Sequence, residues 1–125
     1  MEANSEMSPL ATFRQYLSQG RLAYQRDRDG RAVFYPRVVA PGSGGALSWE
    51  ISKGYGHVYS TTTVFPREGA PYNVSLIDLD EGFRLMSRVE GLNPDAVRIG
   101  MRVRMRVLES EDAPPYPVFD PVGPQ

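Results

Sequence analysis

His57 is the only histidine in this chain, and Ser60 stands three residues after it in Gly54-Tyr55-Gly56-His57-Val58-Tyr59-Ser60. A serine–histidine pair does nucleophilic chemistry only if the side chains meet and a third group orients the base. A spacing of three along a strand points them to opposite faces, so the pair reads as ordinary strand residues. Asp78, Asp80 and Glu81 could form a hard-cation cluster, but Asp80-Glu81-Gly82 already makes a tight turn, and a solvated turn is the simpler reading. Gly42-Ser43-Gly44-Gly45 lacks the Gly-Lys-Ser/Thr ending that makes a phosphate cradle. Asn73-Val74-Ser75 fits a glycosylation sequon but lies in a strand-like segment. With no cysteine there is no disulfide, no thiolate nucleophile and no cysteine-ligated zinc. These residues provide neither a nucleophile with its base nor an open metal site, so no catalytic residue is assigned.

The positive charge that could bind something is almost all arginine, Lys53 being the only lysine. Arg102, Arg104 and Arg106 alternate with Met101, Val103, Met105 and Val107, which places the arginines in a row on one face of a strand, with Arg84 and Arg88 as candidate neighbours. Three uses are open for this row. It is a solvated face neutralised by acids such as Glu90 and Glu109, a single-stranded nucleic-acid groove with Tyr55, Tyr59 and Phe65 for stacking, or a contact for the phosphates of coenzyme A. The formal net charge of −1 favours no anionic partner, so any basic surface must be local.

The elements that would hold these residues follow from patterning. Ser8-Pro9 is a helix start, with a cap and a proline at the first position, and the helix runs to about Gln19. Its stripe, Leu10, Phe13, Tyr16 and Leu17, is covered either by the protein's own core or by a partner's groove. Leu22–Gln25 and Ala32–Tyr35 flank a polar Asp-Gly tip and predict a β-hairpin. Leu47–Lys53 is a linker strand carrying Trp49. Gly54–Val64, Tyr72–Leu79, Phe83–Val89 and Met101–Leu108 are strands rich in β-branched, aromatic or long apolar residues, followed by a proline-rich tail with Phe119 as its anchor. The pattern predicts a mainly β chain: a five-stranded Greek-key OB-fold barrel over 54–125, behind an N-terminal extension over 9–53 and a disordered lead-in over 1–8. No apolar run is long enough to cross a bilayer, and acids stand where a signal peptide needs basic residues; both predict a cytoplasmic protein.

Phe34-Tyr35-Pro36-Arg37, Gly54-Tyr55-Gly56-His57-Val58-Tyr59-Ser60, Pro71-Tyr72, Leu76-Ile77-Asp78-Leu79-Asp80-Glu81-Gly82, Arg98-Ile99-Gly100-Met101-Arg102-Val103 and Phe119-Asp120-Pro121 together carry a resemblance. Over about Phe13 to Pro121 the chain resembles the acyl-CoA-associated proteins that join a rubredoxin-like zinc ribbon to an OB-fold, a domain of unknown function often encoded beside thiolases. Where that family places its zinc cysteines, this chain has Asp27, Asp29, Ala40 and Ser43. That set suits zinc poorly, which implies a ribbon hairpin kept as shape without metal, with Phe34, Tyr35 and Trp49 packing in its place. The resemblance implies a non-catalytic subunit that binds a thiolase-like or related acyl-CoA enzyme and helps form its acyl-CoA site, with acyl-CoA as a candidate ligand. Phe13, Tyr16, Leu17, Tyr35 and Arg37 are the implied docking contacts. A single-stranded nucleic-acid-binding module is the alternative, and a barrel that binds a small molecule by itself is a third.

Overall fold

The computed structural model describes residues 8–40, 42 and 44–123. Residues 1–7 of the expected lead-in and Ser43, one of the four positions that the resemblance places at a zinc site, lie outside the described residues.

Helix α1 spans Pro9–Ser18, and the Ser8 hydroxyl accepts the Ala11 amide at 3.1 Å. It leads into a three-stranded antiparallel sheet of β1 (Ala23–Arg26), β2 (Ala32–Val33) and β3 (Ser48–Ile51) in the order β2-β1-β3. The segment expected as a linker strand is therefore the third strand of this sheet, paired with β1 from Ala23↔Ile51 to Arg26↔Ser48. The second strand is shorter than its aromatic residues suggested, because after Val33 the chain leaves the sheet.

The second sheet contains β4 (Tyr55–Val64), β5 (Tyr72–Leu79), β6 (Arg84–Ser87), β7 (Arg102–Ser110) and β8 (Ala113–Pro121), in the order β6-β5-β4-β7-β8. Its two ends meet. Glu90 N–H donates to the Phe119 carbonyl at 2.7 Å, Phe119 N–H to that of Arg88 at 3.0 Å, and Val89 and Phe119 form a parallel bridge. A five-stranded sheet nearly closed by one parallel contact is the OB-fold expected from the patterning. A 3₁₀ turn, Pro94–Ala96, carries the chain from β6 towards β7, where the sequence predicted a turn or short helical crossing.

Two features depart from the sequence reading. The proline-rich tail is a full edge strand of nine residues. Pro114 and Pro115 fall in a register irregularity, between the pairs Leu108↔Tyr116 and Ser110↔Ala113, while Pro117 and Pro121 stay in register opposite Val107 and Val103 on this edge strand. The second departure lies in β4. Val58 pairs with Ile77 and Ser60 with Leu76, so Tyr59 is an extra residue and a β-bulge. The bulge resets the alternation and places Ser60 on the same face as His57, not the opposite one as strict alternation predicts.

Two glycines of the Gly-Tyr-Gly motif have steric reasons. Gly54 has φ +85°, and a Cβ there would lie 3.3 Å from Met105 Cβ. At Gly56 a Cβ would run into the Asp78 carbonyl and sit 3.2 Å from Ile77 Cγ2.

One hydrophobic cluster runs through both sheets. Phe13, Leu17, Leu22 and Tyr24 from the N-terminal region pack with Val58, Ile77, Phe83, Leu85, Val103 and Phe119 from the barrel. Phe83 is the join: its ring stacks on Tyr24 with centroids 4.7 Å apart and on Phe34 at 5.1 Å. The buried side chain of Asn73 adds a polar tie, donating to Thr61 Oγ1 at 2.7 Å and accepting the Val89 amide at 3.0 Å, so the sequon residue is an interior brace.

Candidate functional site

The docking residues implied by the family resemblance separate into two groups. Phe13 and Leu17 are 8% and 1% exposed, inside the shared core, and are corrected from partner contacts to core residues. The reason is the helix's own geometry: the stripe that fitted a partner's groove is closed over by β1, β8 and Phe34, whose ring meets Phe13 edge-on at 5.5 Å. Tyr16 is half-buried, with Trp49 5.8 Å away. Tyr35 remains 61% exposed, and Arg37 is exposed beside it.

Sequence reasoning passed over the rest of this surface. Val38 and Val39, between Pro36 and Pro41, are 79% and 48% exposed. Two β-branched apolar residues in a loop bounded by prolines were the available signal. The loop is held by Gln25 of β1, a buried amide that uses both ends on one residue: its Nε2 donates to the Arg37 carbonyl and its Oε1 accepts the Arg37 amide, each at 2.8 Å. Gln25 thus satisfies a backbone unit as a neighbouring strand would, and presents Tyr35 to Val39 on a fixed base.

Asp27, Asp29 and Ala40, three of the four positions that the resemblance places at a zinc site, line one cleft of about 160 Å³ with Arg28 and Gly45. Their donors do not fit zinc. Asp27 Oδ1 accepts the amides of Asp29 at 3.0 Å and Arg31 at 2.9 Å, and its Oδ2 lies 3.3 Å from Arg31 Nε. These backbone hydrogen bonds, then the Arg31 charge, hold the Asp27 carboxyl below its ordinary range. Asp29 pairs with Arg31 at 3.1 Å, and Ala40 has no donor atom on its side chain. Among the described residues no group of three or more histidine, cysteine or acidic side chains is arranged to hold a metal ion.

Glu81, read from sequence as part of a solvated turn, joins the two halves of the chain. Its carboxylate accepts Ser52 Oγ–H at 2.7 Å and the Lys53 amide at 2.8 Å, while Ser52 Oγ accepts the Gly54 amide at 2.9 Å. The β5–β6 turn therefore grips the three residues where the extension enters the barrel.

The arginine row is largely neutralised. Arg102 makes a bidentate pair with Asp80 at 2.7 and 2.6 Å, and Arg106 binds Asp120 at 2.8 and 3.1 Å and Glu90 at 3.0 Å. Arg84 is bidentate with Asp78 and lies 3.4 Å over the Tyr59 ring. Arg88 Nε is 3.0 Å from Glu90, an ion pair without in-line hydrogen-bond geometry, and its guanidinium also bonds the Tyr116 hydroxyl. Hydrogen bonds from Arg84 and Arg102 lower the carboxyl pKa values of Asp78 and Asp80, and the Asp120 and Glu90 bonds raise that of Arg106. Glu90 plays the expected part, but the other acids are aspartates brought in by strand register. Arg104 has no acidic partner among the described residues; it borders Tyr55 in an open cleft of about 460 Å³. His57 Nε2 lies 3.9 Å from Asp78, and no hydrogen bond joins it to Ser60. The barrel wall is thus lined by arginine–carboxylate pairs.

With that geometry in place, comparison with known proteins is informative. The family model described as "ChsH2, C-terminal OB-fold domain" matches residues 49–108. A solved chain of an "Ltp2-ChsH2(DUF35) aldolase" superposes with a TM-score of 0.77 at 32% identity, covering 89% of this chain and 92% of that one. The chain belongs to this DUF35 OB-fold family. It is 34% identical over 86% of its length to a probable enoyl-CoA hydratase alpha subunit of Thermomonospora curvata, and spans 35% of that protein. It is 30% identical over 53% of its length to the 3-oxo-4,17-pregnadiene-20-carboxyl-CoA hydratase alpha subunit of Mycobacterium tuberculosis, and spans 22% of it. A DUF35 domain-containing scaffold protein of Methanothermobacter thermautotrophicus is 36% identical over 58% of this chain and 61% of its own. The chain thus spans about a third or less of the two hydratase subunits. No helix of the described residues is long and apolar enough to cross a membrane.

Proposed function

We propose that this chain is a non-catalytic OB-fold subunit that binds an acyl-CoA-processing enzyme, thiolase-like or related, and helps form its acyl-CoA site. The observation that supports this most strongly is the near full-length likeness to the DUF35 chain of an aldolase, together with relatives in which the same module makes up about a third or less of a CoA-thioester hydratase subunit. In this reading the chemistry belongs to the partner and the barrel is scaffold. The loop from Tyr35 to Val39, carrying Arg37, is the docking element, and Arg104 beside Tyr55 is the candidate contact for a CoA phosphate. The ion pairs along the barrel favour neither a nucleic-acid groove nor a long anion track, because Arg84, Arg102 and Arg106 already have carboxylate partners.

The test is to purify the chain with whatever it retains from its own cells and identify the retained protein by mass spectrometry. Acyl-CoA turnover is then assayed for the chain alone, the retained enzyme alone and the two together. Retention of a CoA-thioester enzyme whose activity depends on the chain supports the proposal. Turnover by the chain alone, or tight and salt-sensitive binding of a single-stranded oligonucleotide with no enzyme retained, overturns it.

A further inference from the structure

The net charge of −1 conceals a division of charge along the chain. Residues 8–53 hold seven arginine and lysine residues against three acids, whereas residues 54–123 hold seven against ten. The ion pairs sharpen this contrast. In the barrel Arg84, Arg88, Arg102 and Arg106 are each bound to a carboxylate. In the extension only Arg31 is in an ion pair among the described residues, and Arg26 is turned onto the Gly30 carbonyl and the Tyr24 hydroxyl. Arg28 and Arg37 are exposed and in no ion pair among the described residues; Asp27 and Asp29, which flank Arg28, are taken up by Arg31.

These two cations sit at the exposed apolar loop. Arg37 is within it, on the backbone unit pinned by Gln25, and Arg28 lines the neighbouring cleft with Asp27, Asp29, Gly45 and Ala40, the residue after Val39. The result is a small apolar platform of Tyr35, Val38 and Val39 edged by unpaired guanidinium groups. Apolar side chains at 48–79% exposure need an apolar complement, and free guanidinium groups beside them need carboxylates. A nucleic acid would supply the anions but no counterpart for the two valines, and the platform has one aromatic ring for stacking where a single-strand groove uses several.

We infer that the extension docks on an acidic protein surface, an apolar recess rimmed by aspartate and glutamate side chains on the acyl-CoA enzyme, and that charge makes the extension, not the acid-rich barrel, the part that meets it first. This rests on the docking reading above and adds the chemistry of the partner's surface. Rim charges act chiefly on the association rate and its salt dependence, which gives the inference its own signature.

The experiment uses the full chain and the acyl-CoA enzyme identified by co-purification, with binding kinetics measured at about 50 and about 500 mM NaCl. For the native chain the association rate should fall at least about tenfold across that range. Arg37→Glu and Arg28→Glu should each slow association and flatten the salt dependence, while Arg67→Glu, an exposed change in the β4–β5 loop, should match the native chain. Far-UV circular dichroism and melting of each variant confirm folding, and Val38→Ser, which leaves charge untouched, should speed dissociation instead. Binding that ignores salt and both charge reversals overturns the acidic surface and leaves the docking reading standing. No binding at any salt overturns both. Tighter binding of a fluorescent single-stranded oligonucleotide than of the enzyme, weakened by Arg37→Glu, assigns the platform to nucleic acid and also overturns the inference.

Discussion

Replacing Phe83 with alanine should unfold the extension and the barrel together. Phe83 is 6% exposed, with Tyr24 of β1 stacked on it at 4.7 Å and Phe34 at 5.1 Å. Truncating a buried phenylalanine costs about 3–5 kcal/mol, because its contacts are lost and the cavity closes only in part. Two stacked partners place this site in the middle of that range, at about 4 kcal/mol. For a chain of this length that corresponds to a fall in Tm of roughly 12–20 °C. Phe83→Leu retains most of the volume and should cost no more than about 1.5 kcal/mol. Trp49, the only tryptophan, lies in β3 of the extension, so its fluorescence follows that sheet, while far-UV circular dichroism follows mainly the barrel strands. In the native chain and both variants the two transitions should coincide. A Phe83→Ala protein whose tryptophan signal melts early while the circular dichroism transition stays in place would refute the reasoning, because the shared core would then not couple the two sheets.

Glu81→Ala should lower stability by about 1–2 kcal/mol, since the carboxylate that receives Ser52 and the Lys53 amide is lost, and hydrogen exchange at Lys53 and Gly54 should rise well before exchange in β4. Trp49→Ala should lower Tm more than Asp27→Ala, because the first removes packing against Tyr16 and the core margin while the second removes an exposed turn's hydrogen bonds; equal or reversed losses would refute this. Metal analysis of the purified chain should find no stoichiometric zinc, and a chelator should leave Tm unchanged. The hydrogen bonds from Arg84 and Arg102 depress the carboxyl pKa values of Asp78 and Asp80, so their stabilisation is complete above the ordinary aspartate range and lost as pH falls through the depressed values. Denaturant midpoints should therefore show no loss from these pairs between about pH 5 and 7 and decline below about pH 4, and high salt should reduce the difference.

The barrel was legible because its strands alternate: the runs containing Val58, Ile77, Leu85 and Val103 each put a buried residue where period two requires. The fifth strand was hidden by its own composition. Prolines at 114, 115 and 117 read as breakers, yet an edge strand with a register irregularity tolerates them. The face of Ser60 was misjudged for a related reason, since nothing local to Tyr59 marks the bulge that β5 imposes across the ladder. The helix stripe correctly predicted an apolar contact, but periodicity does not say who provides it, and Phe34 and β8 do. The arginine row was visible, and its neutralisation was only half visible. Glu90 is near in sequence to Arg88, whereas Asp78 against Arg84, Asp80 against Arg102 and Asp120 against Arg106 meet through strand pairing or turn geometry. Gln25 and Glu81 were missed because a polar side chain that completes backbone hydrogen bonds elsewhere in the fold has no motif of its own.

The account stands or falls on whether this chain works by completing another protein. The most direct measurement is kcat/KM of the co-purified acyl-CoA enzyme on its thioester substrate, with the chain absent and then added in stoichiometric amount. The account predicts that addition raises kcat/KM, that Arg37→Glu raises it less at limiting concentration, and that the chain alone turns over nothing. An enzyme indifferent to the chain, or a chain that processes the thioester unaided, would contradict it.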